Sequence, residues 1–402
     1  MTRRFLGFGI VCVLALVLFC GAAAGKSQRK LTTVTVDTLN IANGYPLDLG
    51  IQKGFFANHG IEIKKQVLQS GNDVVLALAN NNGDIGYLGY VPMFIARTQG
   101  IPIQLVSASE VEGTNEADNW QNIMVKGSSS IRTPQDLAGK TIAVNALKGV
   151  GEVMIRAALK KEGVNPDSIK LLALPFPAMR TALNNGQVDA FWAPEPFLSQ
   201  ALNLGGDRVA MAPGPVLGRF WPIGGYAALE DWAAKNPDLA AKFRTAINQS
   251  LAYAQSHPDD VRALLPAGTQ NVRLPIWSPL VDQAKLIQLA KYTKEYGVIS
   301  TLPNFAKLIP SSAQSGKTLQ ATVGANFATL RLDGKVVSTL KAGKYTIVVS
   351  DGSKTRAFKL VGPGVNKTTS VKGTGRALWT LTLKKGTYRY SSGAGSRTLK
   401  VT

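Results

Sequence analysis

Two short stretches of this 402-residue sequence carry aromatic and acidic side chains at matching offsets. Ala77–Tyr87 passes through Asn80-Asn81-Asn82-Gly83-Asp84 and leads to Val91-Pro92. Ala182–Trp192 passes through Asn184-Asn185-Gly186-Gln187-Val188-Asp189 and leads to Ala193-Pro194. Each copy reads as a helix stopped by Asn or Gly, a short strand, and a loop marked by proline. The strand ends carry Tyr87, Tyr90, Trp192 and Glu195. Such residues hold a molecule rather than transform it: aromatic faces cover an apolar or planar body, and a carboxylate favours an amine or a protonated ring nitrogen. The bland readings stand beside this one. A Tyr or Trp at a strand end also packs a core, and Glu195 between Pro194 and Pro196 also suits the first turn of a helix.

Catalytic chemistry finds little to work with. The two histidines, His59 and His257, are far apart, and both cysteines, Cys12 and Cys20, lie in the first 20 residues. No Ser-His-Asp order, HExxH, CxxC or phosphate-binding glycine loop is present. The expectation is a protein that is not an enzyme and needs neither cofactor nor metal.

The elements that must position the strand-end residues alternate in type. Val34–Val36, Ile101–Val106, Thr141–Val144 and Ile169–Leu172 read as short buried strands. Val74–Asn80, Gly151–Glu162, Ala178–Asn185, Leu239–Ser256 and Pro279–Tyr296 read as helices, with caps expected at Asn72-Asp73, Pro237-Asp238 and Ser278-Pro279. This alternation implies open α/β sheets, and the repeat implies two similar lobes facing a shared crevice.

The net charge of +20 is unevenly spread. Residues 31–310 hold 24 basic and 23 acidic side chains, whereas residues 311–402 hold 16 and 2. The balanced middle argues against nucleic acid as the partner. At the start, Thr2-Arg3-Arg4, the apolar run Phe5–Phe19 and Ala22-Ala23-Ala24 read as a signal peptide over residues 1–24. An uncleaved anchor is the alternative. Val17-Leu18-Phe19-Cys20 also resembles a lipoprotein box in which Cys20 would be acylated, although Phe19 stands where a small residue is usual. The protein is therefore expected outside the cytoplasm, periplasmic or at the cell surface.

Tyr45–Phe56, Gly60–Ile63, Gly83–Gly86, Ile131–Lys140 and Gly186–Ala190 follow one another with a spacing that resembles the periplasmic solute-binding proteins for nitrate, sulfonates and thiamine-pyrimidine precursors. The resemblance spans residues 31 to 265. It implies a two-lobe type II binding-protein fold over residues 31–310, with lobe 1 at about 31–123 and 224–310 and lobe 2 at about 124–223. It places hinge crossings near Ile123-Met124-Val125 and Pro222-Ile223-Gly224-Gly225. It further implies a monomer that closes on a small organic nutrient of sulfonate, amine or pyrimidine type and delivers it to the membrane subunits of an ABC importer. By this placement the ligand-binding candidates are Asn40, Asn43, Tyr45, Gly71, Asn72, Tyr87, Tyr90, Asn145, Trp192, Glu195 and Trp221. Two helix starts, Ser70-Gly71-Asn72 and Gly149-Val150-Gly151, would aim backbone N–H groups at an anionic head. Glu195 and the lack of an Arg/Lys cluster weigh instead towards a planar or amine-bearing ligand.

Residues 311–317 read as a linker, and residues 318–402 as a small all-β sandwich. Leu340–Ser353, Phe358–Val365 and Trp379–Tyr390 resemble a cupredoxin-like domain. Residues 317–402 contain no His, Cys or Met, so a blue-copper site cannot form there. The basic balance of this module suggests adhesion to an anionic envelope surface. An alternative reading makes the whole chain a secreted attachment protein whose basic module is the active part.

Overall fold

The computed structural model describes residues 31–203, 206–266, 269, 272–313, 316–323, 328–351, 353, 355–370, 375–393 and 395–402. The proposed signal segment and Cys20 lie outside the described residues. Among these residues no helix is long and apolar enough to cross a membrane.

A six-stranded sheet forms the first lobe. Thr32–Leu39 pairs in parallel with Ile61–Leu68 and Ile85–Gly89, and Pro222–Leu229 runs antiparallel between Ile85–Gly89 and Ile103–Val111. Ile276–Trp277 completes the edge. A five-stranded sheet forms the second lobe and repeats that order: Lys170–Ala173, Thr141–Val144, Ala190–Pro194, then the antiparallel Gln121–Lys126 and Asp207–Met211. The two copies seen in the sequence occupy equivalent places. Helix Gly71–Ala79 leads into Ile85–Gly89, and helix Phe176–Asn184 leads into Ala190–Pro194.

The helices follow their local chemistry. Val150–Lys161 has Glu152 in its first turn and Lys160 and Lys161 in its last, complementing the helix dipole. Pro237 opens the helix Pro237–Ser256, as expected. Two caps differ from expectation. Ser70 caps Gly71–Ala79 by accepting from the Asp73 N–H, and Asp282, not Ser278, caps Gln283–Glu295.

The chain passes between the lobes over residues 112–120 and again over residues 212–221. Ile123-Met124-Val125 lies beyond the first passage, inside Gln121–Lys126, and Gly224-Gly225 lies inside Pro222–Leu229. The glycine pair lets neighbouring strands approach closely. A Cβ at Gly224 would fall 2.7 Å from the Leu88 carbonyl oxygen, and one at Gly225 would fall 2.4 Å from that of Ser107.

Beyond residue 316 the side-chain period becomes two. One five-stranded sheet contains Lys317–Val323, Ala328–Leu332, Lys335–Val336, Gly343–Asp351 and Gly375–Leu383. The other contains Thr339–Leu340, Phe358–Gly362, Val365–Thr368, Gly386–Ser392 and Gly395–Val401. Leu319, Leu330, Ile347, Phe358, Leu360, Tyr388 and Leu399 fill the space between them. Asp333 and Gly334 have φ of 49° and 82°, which suits the tight hairpin that twisted strands prefer.

The first of these sheets packs on the first lobe. Val348 and Leu378 join Val111, Phe220 and Ile276 in a small apolar cluster. The Ser278 hydroxyl donates to Thr346 Oγ1 at 3.0 Å, and Lys285 pairs with Asp333 at 2.7 Å.

Candidate functional site

A cleft between the lobes encloses about 510 Å³, including its solvent-open mouth. The first lobe contributes Leu39, Ile41, Asn43, Gly71, Asn72, Tyr87, Gly89 and Pro92. The second contributes Asn145, Ala146, Gly149, Val150, Phe176, Trp192 and Pro194, and Trp120, Gln121 and Ile223 close the back where the chain passes between lobes. No Asp, Glu, Lys or Arg side chain lines it among the described residues.

The walls are held by close fits. A Cβ at Gly151 would sit 2.5 Å from the Trp192 indole, so only glycine lets the ring lie against the start of helix Val150–Lys161. Trp192 packs at 5.9 Å and 53° on Phe176, which stacks in turn on Phe197. Gly89 meets Val150 from the opposite lobe, where an added Cβ would fall 2.3 Å from its methyl carbon. Two asparagines cross the mouth reciprocally. Asn72 Nδ2 donates to the Leu147 carbonyl at 3.4 Å, and Asn145 Nδ2 donates to that of Gln69 at 3.5 Å.

Helices from both lobes start at this cleft. Ser70 takes the Asp73 N–H and leaves those of Gly71 and Asn72 uncapped; Gly149 has no side chain to cap the Val150 and Gly151 N–H groups. Unpaired first-turn N–H groups and the positive ends of two helix dipoles make an environment suited to an anion.

Behind the first lobe's wall lies a buried acidic layer. Tyr87 donates its hydroxyl to Glu110 at 2.6 Å, and Gln121 donates its amide to Glu112. Burial pushes Glu110 up to about 7, opposed by the hydrogen bond from Tyr87 and by the nearby polar side chains of Ser109 and Asn43. Burial likewise pushes Glu112 up to about 8, with nearby Glu110 and Asp118 adding to the rise. Gly214 presses on the Glu112 carboxyl, where a Cβ would lie 2.4 Å from its carbon.

Of the residues named from sequence, Asn43, Gly71, Asn72, Tyr87, Asn145 and Trp192 meet at the cleft. Five others do not line it. Asn40 is exposed on the bend after Thr32–Leu39. Tyr45 opens helix Tyr45–Gln52, and Tyr90 turns into the core to stack with Phe94. Trp221 is buried against Tyr292. Glu195 is wholly buried and faces away: its carboxylate accepts from the Ser199 N–H and hydroxyl and from the Arg273 N–H, at 3.0, 2.8 and 2.9 Å. It anchors the helix Phe197–Asn203 and ties it to the first lobe. Burial raises its pKa, opposed by those hydrogen bonds and the nearby Arg273 charge. Trp120, Gln121 and Phe176 were not anticipated. Phe176 follows the strand Lys170–Ala173 and was open to the strand-end argument, whereas Trp120 precedes the strand Gln121–Lys126 and Gln121 begins it.

The family model described as NMT1/THI5 like matches residues 42–261, more than half of the chain and none of the β-sandwich. The taurine-binding periplasmic protein of Escherichia coli (strain K12) is 32% identical over 141 residues, 35% of this chain and 42% of that protein. This chain thus spans about two fifths of that relative's length. The crystal structure of the periplasmic aliphatic sulphonate binding protein SsuA from E. coli matches with a TM-score of 0.59 at 20% identity, covering 70% of this chain and 98% of that one. A conserved Candida albicans protein described as having the generic periplasmic binding protein fold gives a TM-score of 0.58 at 16% identity, covering 71% and 98%. The two-lobe binding-protein fold is thereby established.

Proposed function

The chain belongs to the NMT1/THI5-like family, and on that premise we propose that it is the exported solute-binding component of an ABC importer. In this reading it is a monomeric receptor, not an enzyme, and it closes on a small organic anion, of which a sulfonate with an apolar body is the best fit. One observation carries the choice: uncapped helix starts from both lobes face a cleft that, among the described residues, no charged side chain lines. The withdrawal of Glu195 removes the acidic half of the sequence argument for an amine, because its carboxylate is held by three donors away from the cleft. Trp192, Phe176, Val150 and Ile41 then cover the apolar body, while Asn43, Tyr87, Asn145 and Gln121 orient it. The taurine- and sulphonate-binding relatives agree with this class. The sandwich is read as a cupredoxin-like module, without a metal, that adheres to the anionic cell envelope.

Thermal unfolding in the presence of alkanesulfonates, carboxylates, pyrimidines and amines tests the ligand class. A ligand at about 100 times its Kd stabilises by about 2.7 kcal/mol. Sulfonates or carboxylates should give such a rise. Stabilisation by amines alone, or by nothing in the set, would sink the reading.

A further inference from the structure

The two outer faces of the β-sandwich differ. The face carrying Val348 and Leu378 is covered by the first lobe. On the other sheet, Phe358, Leu360, Tyr388, Tyr390, Leu399 and Val401 point into the core, so their alternates point to solvent. Register fixes what this outer face displays. Lys359 lies beside Ser391, which lies beside Ser396. One row on, Val361 lies beside Arg389 and then Thr398. In the next row Thr387 lies beside Lys400 and then Thr339.

The cations form a diagonal. From Lys359 to Arg389 to Lys400, each step moves one strand across and two residues along. With strands about 4.8 Å apart and a rise of about 3.4 Å per residue, the steps are about 8 Å. Hydroxyl side chains flank the line, and no acid interrupts it. Of the module's two acids, Asp333 is held by Lys285 of the first lobe, and Asp351 is buried and accepts from the Thr369 hydroxyl at 2.7 Å.

We propose that this face docks a linear anionic polysaccharide of the cell envelope, its charged groups seated along Lys359, Arg389 and Lys400 and its hydroxyls on the flanking Ser and Thr side chains. The proposal rests on the adhesive reading of the module and gives it a site and a partner. Repeating negative charge along one flexible chain suits cations spaced in a line, and sugar hydroxyls suit side chains that both donate and accept. Other polyanions fit less well. Among the described residues the face has no aromatic platform on which nucleic-acid bases would stack, and Val361 is its one exposed large apolar side chain, too little to enter a bilayer.

The test compares the full chain with two equally neutralised variants. One is K359Q/R389Q/K400Q on the proposed face; the other is K335Q/K341Q/K344Q, exposed elsewhere on the module. Binding to immobilised polygalacturonate and dextran sulfate is measured at about 50 and about 200 mM salt, with neutral dextran, phosphatidylglycerol vesicles and single-stranded DNA as the other arms. The full chain should bind both anionic glycans and lose affinity with salt on a log–log slope of about three, one counterion per cation. The face variant should lose about tenfold or more, and the control variant less than about twofold. Equal losses in the two variants would overturn the site and leave diffuse adhesion standing. Tighter binding to vesicles or DNA than to glycans would overturn the partner. No binding to any anionic probe at low salt would overturn both the site and the adhesive reading beneath it.

Discussion

On the first lobe's side of the cleft, Asn43, Asn72 and Tyr87 face inward, and Tyr87 is tied back to the buried Glu110; on the second lobe's side, Trp192, Phe176 and Val150 predominate. Both walls rise from sheets of the same strand order. Hydrogen bonds are directional and gain from a fixed, buried network, whereas apolar cover is non-directional and tolerates small changes of approach. Under the proposed function the first lobe would supply more of the fixed polar contacts and the second more of the aromatic cover, with Ile41 and Asn145 as the exceptions on each side.

The largest test of this contrast is pH. Glu110 and Glu112 titrate near 4.5 when unfolded, and near 7 and 8 when folded. Their folded values are raised, so the stability they contribute is fully present below about pH 4.5 and is lost as pH rises through 7 and 8. The loss is on the order of 3 kcal/mol for Glu110 and somewhat more for Glu112. Urea unfolding should give a lower free energy at about pH 8.5 than at about pH 5, and Glu112→Gln should flatten the profile. A flat profile in the parent protein would mean that these carboxyls are solvated and that the first lobe's wall has no acidic backing.

Next in size is the apolar wall. Trp192→Ala should weaken binding of the best sulfonate from the thermal screen by about 100-fold by calorimetry, while the protein stays folded. Unchanged affinity would remove Trp192 from the ligand's surroundings. Tyr87→Phe deletes the donor to Glu110 and one polar group of the cleft; about a five- to tenfold loss is expected, near 1 kcal/mol. A loss as large as that for Trp192→Ala would reverse the assigned importance of the two walls. The smallest effect belongs to Asn72→Ala with Asn145→Ala. Their hydrogen bonds across the mouth are long, so stopped-flow release should quicken by only about twofold.

The sheets were largely legible because strand and helix periods differ. Thr141–Val144 is a strand with the bounds expected, and the two Asn/Gly-stopped copies mark equivalent positions in two sheets. Within the cleft, the strand-end rule located residues whose backbone sits at the crevice, such as Gly71, Asn72 and Asn145. It gives no side-chain direction. Tyr90 begins a helix whose turn sends it towards Phe94, and Glu195 turns inward because Ser199 and Arg273 offer it donors that lie elsewhere in the chain. Trp120 and Gln121 carry no strand-end signal, and a first passage read from sequence near Ile123-Met124-Val125 lies a few residues past the actual one, so both fall within the first lobe in that reading. Gly224-Gly225 shows the same limit, since a glycine pair needed for close strand packing reads like a flexible joint until its neighbours are seen.

The contacts of the β-sandwich bear on which part of the proposed receptor would move. Its covered face touches Val111, Phe220 and Ile276, and further polar contacts run from Thr346 to Ser278 and from Asp333 to Lys285. Val111 and Ile276 are strand residues of the first lobe, Ser278 and Lys285 follow in the same body, and Phe220 stands at the last turn before the chain re-enters it. If the lobes close as proposed, these contacts would carry the sandwich with the first lobe as one mass, and the second lobe would be the lighter jaw working against an anvil. If that anvil is held to the envelope, capture would be a swing of the free jaw alone, and the larger, anchored part of the molecule need not drag through its surroundings each time a ligand enters or leaves.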